Sequence, residues 1–561
     1  MGFQMLGRGG RTASLVVLGV LVATVLAAAA ATAAAATPEV LSPTDASSRY
    51  VRVAMDVNGN PSAIFFHGEN TIIPDEPPAY CKLDEFGETD DCTVGSRTWI
   101  DGTMSAMQDL TPPFSGRMPY GEAAPDGSGQ VFAVWAGTSQ WGGVGGTVLR
   151  VRSEEGAWSS AEALSPDPFD PQVAVTDGGV AVVGWLHPVN VAPFDVRNRV
   201  QARVRAANGT LSTVQDISPA GKAAWAPDVA VNADGDAVFV WRAQLTDGSG
   251  QWTVQARARS ADGTLSDVQS LSGPTVDAWD PSVAIEADGD ALIVWHVRFG
   301  DRVQARARAA DGTLSDATNL SNGEPGSDPA VALTADGDAL VVWGRGPSTL
   351  ATRIKARARS SAGSWSAIET VSLPPQGGYA IGPQVAMDAS GRAVVVWAQE
   401  HVGGFWEPTL MRVRSPSGAW SSVESLTDAH ANTFNPQVDV NAAGNAIAAW
   451  EDYESDWGPA IHASRFSLDD FPPDLDPPET TITRGPSGAT TRRTVSFRFR
   501  ADEAGSSFKC RLDARAWRSC SSPKRYSGLS FGRHVFRVRA TDPSSNVDPT
   551  PAKRVFRVVR G

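Results

Sequence analysis

One phrase, Pro227 to Trp241 (PDVAVNADGDAVFVW), recurs down most of this chain at a spacing of roughly fifty residues, and such a period restricts a fold to stacked or circularly arranged units. Copies end on Trp135, Trp185, Trp241, Trp295, Trp343, Trp397 and Trp450, and a diverged first copy (VAMDVNGNPSAIFF) ends on Phe66, giving eight units. Within each copy, two short β-branched and aromatic runs flank an Asp-Gly pair that tolerates positive φ, which predicts a hairpin with a two-residue turn. The following segment, Thr253 to Ser272, alternates with period two and turns at Asp262-Gly263, predicting a second hairpin. Four antiparallel strands per unit, repeated eight times, predict an all-β, eight-bladed β-propeller, with a seven-bladed ring as the alternative.

The ends of the repeat region test whether the ring closes. The last unit runs through a third strand, Ile461 to Phe466, and stops without a fourth, whereas Glu39 to Pro43 matches Glu162 to Pro166, the fourth strand of unit two. The amino-terminal segment is therefore expected to complete the last blade, which removes the open edge strands that invite aggregation.

Residues 1–36 read as a secretory signal: Arg8 and Arg11, an apolar run from Leu15 to Leu26, and an alanine-rich end. The alternative is an uncleaved anchor, and no other stretch is apolar and long enough to span a bilayer. Four cysteines suit an exported chain, and local pairing, Cys81 with Cys92 and Cys510 with Cys520, is expected among three connectivities. No zinc spacing and no cofactor motif appears, so neither metal nor cofactor is expected. The predicted layout is a propeller over 37–466, a Pro/Asp-rich linker over 467–478 and a second β domain over 479–561. The net charge of −14 is unevenly spread, because residues 477–561 hold 18 Lys and Arg against 6 Asp and Glu. In that last part Arg498, Arg500, Arg537 and Arg539 alternate with apolar residues, so the charges face outward and suit an anionic wall polymer, with lipid headgroups and extracellular DNA as the alternatives.

In the last domain, FKCRLDARAWRSC and the run from Tyr526 to Ala552 resemble the bacterial immunoglobulin-like modules at the C-termini of exported actinobacterial proteins. The resemblance covers about 80 residues and implies a β-sandwich at the cell surface, with no chemistry. The turn NADGDA resembles the calcium loop of FG-GAP repeats, but it lacks the third Asp and the distal acid that calcium needs. SADGTLS resembles the Asp-box of sialidase-type propellers, with its spacing off by one residue, and is read as structural.

Length variation concentrates between the second and third strands, as in Leu186 to Arg199 and Ala398 to Leu410. That face is the expected recognition surface, since loops carry recognition on rigid scaffolds. The seven recurrent tryptophans are read as packing between blades. Aromatics that do not repeat (Trp141, Trp252, Phe299, Phe405, Trp406) and histidines that follow the second strand (His187, His296, His401) are the candidate ligand-binding residues. The favoured function is noncatalytic binding or adhesion by a monomeric, secreted or envelope-associated protein whose ligand is a glycan or a protein. The alternative is a carbohydrate-active hydrolase or lyase, which needs paired carboxylates on the same face. A purely structural envelope protein is the third reading.

Overall fold

The computed structural model describes residues 38–42, 47–68, 88–111, 114–117, 121–137, 146–166, 169–192, 195–245, 250–273, 276–298, 302–344, 353–372, 379–399, 408–428, 431–453, 459–475, 477–503, 506–542, 544 and 546–560. Trp141, Phe299, His401, Phe405, Trp406, the signal segment 1–36, Cys81 and the side chain of Cys92 lie outside them. The structure is nearly all β, built from antiparallel sheets of the same plan repeated along the chain, an arrangement consistent with a β-propeller. The fourth sheet is typical: Ala224–Val231, Ala237–Gln244, Trp252–Arg259 and the short Gln269–Ser270 lie side by side in chain order. Seven sheets along residues 39–467 have four strands; the remaining one, first in the chain, has six because three short strands pair with Glu88–Ile100.

Consecutive sheets bury apolar faces against each other, and the order of interfaces returns to its start. One cluster joins Val134 and Leu149 of the second sheet to Val183 and Trp185 of the third; another joins Ile447 and Ala449 of the eighth to Val53 and Phe65 of the first. The eighth sheet takes its outer strand from the amino end: Glu39 pairs with Ala463 and Val40 with His462. Leu41, with no exposed surface, is buried in the same closing cluster, and the Ile461 amide donates to Ser42 Oγ at 2.9 Å.

The seven recurrent tryptophans are at most 2% exposed and face the preceding sheet. Burying one removes about 150–250 Å² from water, roughly 4–6 kcal/mol as an upper bound at 25 cal/mol/Å². In the first unit that position belongs to Phe65, not Phe66: Ala63 opposes Val53 as Ala133 opposes Ala123, which aligns Phe65 with Trp135.

Three local expectations need revision. The Asn232–Asp236 connection is not a two-residue turn. Gly235 N–H donates to Asn232 O at 3.1 Å and Gly235 alone has positive φ (90°), so a type I turn is followed by a left-handed glycine. The fourth strands are two-residue segments in most sheets, because a serine hydroxyl replaces a rung, as where Ala258 N–H donates to Ser266 Oγ at 3.0 Å. Leu186 to Arg199 is mostly ladder, not loop, with His187 opposite Arg199 and Val189 opposite Arg197, because its alternating valines continue the strand pattern.

The segment after the eighth sheet buries Leu468 and Phe471 in the cluster shared by the seventh and eighth sheets, and Asp474 N–H donates to Trp420 O at 3.0 Å. Beyond it, two sheets enclose one core. Thr480–Arg484, Val495–Ala501 and Lys524–Tyr526 form the first; Gly488–Thr490, Ser507–Leu512, Arg518–Cys520, Gly532–Thr541 and Ala552–Val558 form the second. Phe497 stacks on Phe536 across the two at 4.0 Å between ring centroids. Cys510 and Cys520 form a disulfide between adjacent strands of the second sheet.

Candidate functional site

Among the described residues, seven inner strands share one irregularity near their start. Each contains a register shift, and each holds one residue there in the left-handed region: Tyr50, Asp170, Ala226, Asp280, Asp328, Gly382 and Asn435, with φ between 47° and 59°. Asp, Asn and Gly tolerate this conformation best, which accounts for five of the seven. Proline follows in six of them and gives the strand its bulge. The preceding residue is usually large and points to the same end of the ring: Phe169, Trp225, Trp279, Ile381 and Phe434. Trp225 is 38% exposed, and Phe169 meets it edge to face at 5.6 Å.

Between the fourth and fifth sheets this rim becomes a cluster. Arg242, at the end of the second strand of the fourth sheet, lies 3.9 Å from the Trp279 ring centre and 5.1 Å from that of Trp252. Arg298 covers Trp279 at 4.9 Å. Such stacks contribute about 0.5–2 kcal/mol each, the more so where water is excluded. The Trp252 N–H donates to Asp277 Oδ1 at 2.9 Å, tying the fourth sheet to the fifth. His296 Nδ1 lies 4.0 Å from Asp280 Oδ2, and the two residues approach from neighbouring strands.

The carboxyls here are perturbed. Asp170 is pushed up to about 6, chiefly by dehydration and secondarily by the Glu122 charge, against the opposing pull of Arg52 and Arg242. The residue as a whole keeps part of its surface exposed. Asp280 is also raised, by dehydration first and by the Asp328 charge next, with His296 and Arg242 opposing. Burial lowers Arg242, while Asp280, Asp277 and Asp170 pull it back up. These influences bring Asp170, Arg242 and Asp280 of three successive sheets into one electrostatic group. Asp228 and Asp439, on the axial side of the inner strands, are pushed up to about 6 by burial and accept the Val283 and Met55 amides of the next sheet. Glu122 contributes to both shifts and pairs with Arg52 at 3.3 Å, so the inner strands converge on an ionisable axis.

Of the residues expected from sequence, Trp252 and His296 belong to this cluster. His187 sits on the extended hairpin of the third sheet, half-buried, with its Nδ1 lacking a partner. Trp225, Trp279, Asp170, Asp280 and Asp328 were not anticipated, although a large residue, then Asp, Asn, Ala or Gly, then Pro recurs at the head of the inner strands. Arg498 and Arg500 are exposed on one sheet of the last domain, and Arg537 and Arg539 are half-buried on the other. Among the described residues, Asp474, Glu503 and Asp542 form the one carboxylate group tight enough for a cation, within 4.8 Å of one another; Asp474 and Asp542 also lend their charge to buried Arg412.

No family model matches the chain, and no curated protein matches it. Solved structures similar to it include a protein of unknown function from Dyadobacter fermentans, with TM-score 0.40, 10% identity and coverage of 77% of this chain and 98% of that one. Trypanosoma rangeli sialidase aligns with TM-score 0.34 and 10% identity over 73% of this chain and 88% of that one. Penicillium chrysogenum α-L-arabinanase, complexed with arabinobiose, aligns with TM-score 0.33 and 12% identity over 55% and 95%. At such identities and TM-scores the likeness assigns neither a reaction nor a ligand. Among the described residues, no helix is long and apolar enough to cross a membrane.

Proposed function

We propose that the repeated sheets over 37–466 are an eight-bladed β-propeller closed by the amino-terminal strand, behind a signal segment (1–36), and that residues 479–561 are an immunoglobulin-like module joined to it through 467–478. The protein works outside the cytoplasm, in keeping with the Cys510–Cys520 disulfide. It is a carbohydrate-active propeller whose substrate glycan lies across the rim.

One observation carries this reading: Arg242, stacked on Trp279, lies in electrostatic reach of both Asp170 and Asp280. The exposed Trp225 indole offers a face to a sugar ring, and the Arg242 guanidinium offers donors to hydroxyls or a carboxylate of the substrate. A carboxyl that stays protonated to about pH 6 is suited to protonate a leaving glycosidic oxygen, and a second, ionised carboxylate activates water or stabilises positive charge at the anomeric carbon. Asp170 takes the first role and Asp280, whose ionised form Arg242 and His296 favour against the Asp328 charge, the second.

The test is release of reducing ends from a panel of plant, bacterial and host polysaccharides by the wild type, Asp170→Asn and Asp280→Asn. Loss of an acid or base costs about 10²- to 10⁴-fold in kcat. Wild-type rates in both variants refute the assignment. Binding without product release by the wild type establishes the noncatalytic reading instead, which the exposed Trp225 platform favours.

A further inference from the structure

Apart from the rim, the five-stranded sheet of the C-terminal module carries an unusual charge pattern. Its outward positions hold Lys509, Arg511, Arg533, Arg537, Arg539, Lys553 and Arg557, and the strand register sets several of them directly opposite one another. Lys509 faces Arg539 and Arg511 faces Arg537; Arg537 in turn faces Lys553, and Arg533 faces Arg557. Arg511, Arg537 and Lys553 thus form one transverse row across three neighbouring strands, about 5 Å from strand to strand. Like charges directly opposite oppose sheet formation, whereas an alternating pattern would have relieved them.

The module does not neutralise this face. Among the described residues its single ion pair is His534 with Asp513, and none of its lysines or arginines pairs with a carboxylate. Its acids are spent elsewhere: Asp513 holds His534 and the Val535 amide, Asp542 holds Asn546, and Asp548 holds the Thr480 and Thr550 amides. Arg511 and Arg539 both lie over the Trp517 ring, at 4.6 and 4.7 Å, and each leaves its Nε–H buried without a partner. The indole fixes the guanidiniums in place while supplying no counter-charge.

We infer that this sheet face binds a linear anionic polysaccharide bearing sulfate, phosphate or carboxylate groups, with the Arg511–Arg537–Lys553 row as its centre. Closely spaced anions on one strand of polymer match a row of cations a few ångströms apart, and guanidiniums hold oxyanions through two parallel hydrogen bonds. Nucleic acid is the poorer fit. Trp517 is occupied by two guanidiniums and cannot stack on a base, which removes the aromatic contribution that single-stranded nucleic acid draws on. The site is independent of the propeller rim and of any chemistry there.

The experiment compares full-length protein with the triple variant Arg511→Gln/Arg537→Gln/Lys553→Gln, using immobilised heparin, a neutral dextran of similar length and a duplex DNA of equal charge. Arg484→Gln/Arg525→Gln, on the other sheet, is the control. Expected are retention on heparin but not on dextran, a fall of about tenfold or more in affinity for the triple variant, and a shallower dependence on salt. The control variant should keep most of the binding. Because the triple substitution removes like-charge pairs, its melting temperature should hold or rise, which separates lost binding from lost folding. Undiminished heparin binding by the triple variant overturns the proposal, as does equal or stronger binding of DNA, or no retention of the wild type at low salt.

Discussion

Closure of the ring by the amino-terminal strand makes Leu41→Ala a sharp test. Leu41 has no exposed surface and packs in the cluster joining the eighth sheet to the first, whereas its neighbour Val40 is 40% exposed. Truncating a fully buried leucine costs about 2–5 kcal/mol, the transfer energy plus the cavity left behind. Val40→Ala at a half-open position is expected within about 0.5 kcal/mol. Besides the Ile461–Ser42 bond, Leu41 N–H donates to Ile461 O at 2.8 Å, Arg97 Nε to Leu41 O at 2.9 Å and Trp99 Nε1 to Glu39 Oε2 at 3.1 Å, and Glu39 pairs with Arg465 at 3.0 Å. The loss should appear as local opening, read by hydrogen exchange at the Leu41 and Ile461 amides. At 1.4 kcal/mol per decade, exchange should accelerate by about thirty- to several-thousand-fold in Leu41→Ala, with amides of the fourth sheet unchanged. Equal protection of both amides in Leu41→Ala and wild type would refute closure by this strand, as would equal effects of the Val40 and Leu41 substitutions.

Asp56 and Arg152 join the first and second sheets at 2.6 Å with neither side chain exposed; Asp56→Ala should cost about 3–5 kcal/mol by stranding the guanidinium, and adding Arg152→Met should recover part of it, measured as denaturation midpoints in a double-mutant cycle. Asp228 and Asp439 have folded pKa values near 6, above their ordinary 3.8. Their contribution is thus fully present below about pH 3.8 and is lost as pH rises through about 6, so Asp439→Asn should flatten the fall in melting temperature over that window. Replacing Cys510 and Cys520, ten residues apart, by Ser should destabilise the C-terminal sheets by about 2–3 kcal/mol, seen as an earlier first transition in calorimetry with the transition of the repeated sheets unmoved.

What the sequence reveals depends on whether a feature repeats and whether it is local. The tryptophans ending each phrase were legible as core because a period fixes their role seven times over, and the Glu39–Pro43 match disclosed closure from residue pattern alone. Phe65 was misassigned by one residue, since two adjacent phenylalanines satisfy the pattern equally and strand register decides between them. The rim was missed for a different reason. Asp170, Trp279 and Asp280 sit in a recurring segment that looks like a loop ahead of proline, and the register shift that aims them exists only once the neighbouring strand is in place. Trp252 and His296 were chosen for their place after the second strand, and the fold then supplied the partners, Arg242 and Asp280, that sequence distance conceals. In the last domain alternation gave the outward-facing arginines, while the opposition of like charges required knowing which strands pair.

The left-handed residue at the head of seven inner strands has a consequence for how such a protein can change. Asp and Asn are nearly the same shape and both accept that backbone conformation, so exchanging one for the other alters charge without disturbing the bulge. Four of these positions, Asp170, Asp280, Asp328 and Asn435, are in effect sockets at the mouth of the ring in which a single nucleotide change can set a negative charge or erase it, leaving the walls that support it untouched.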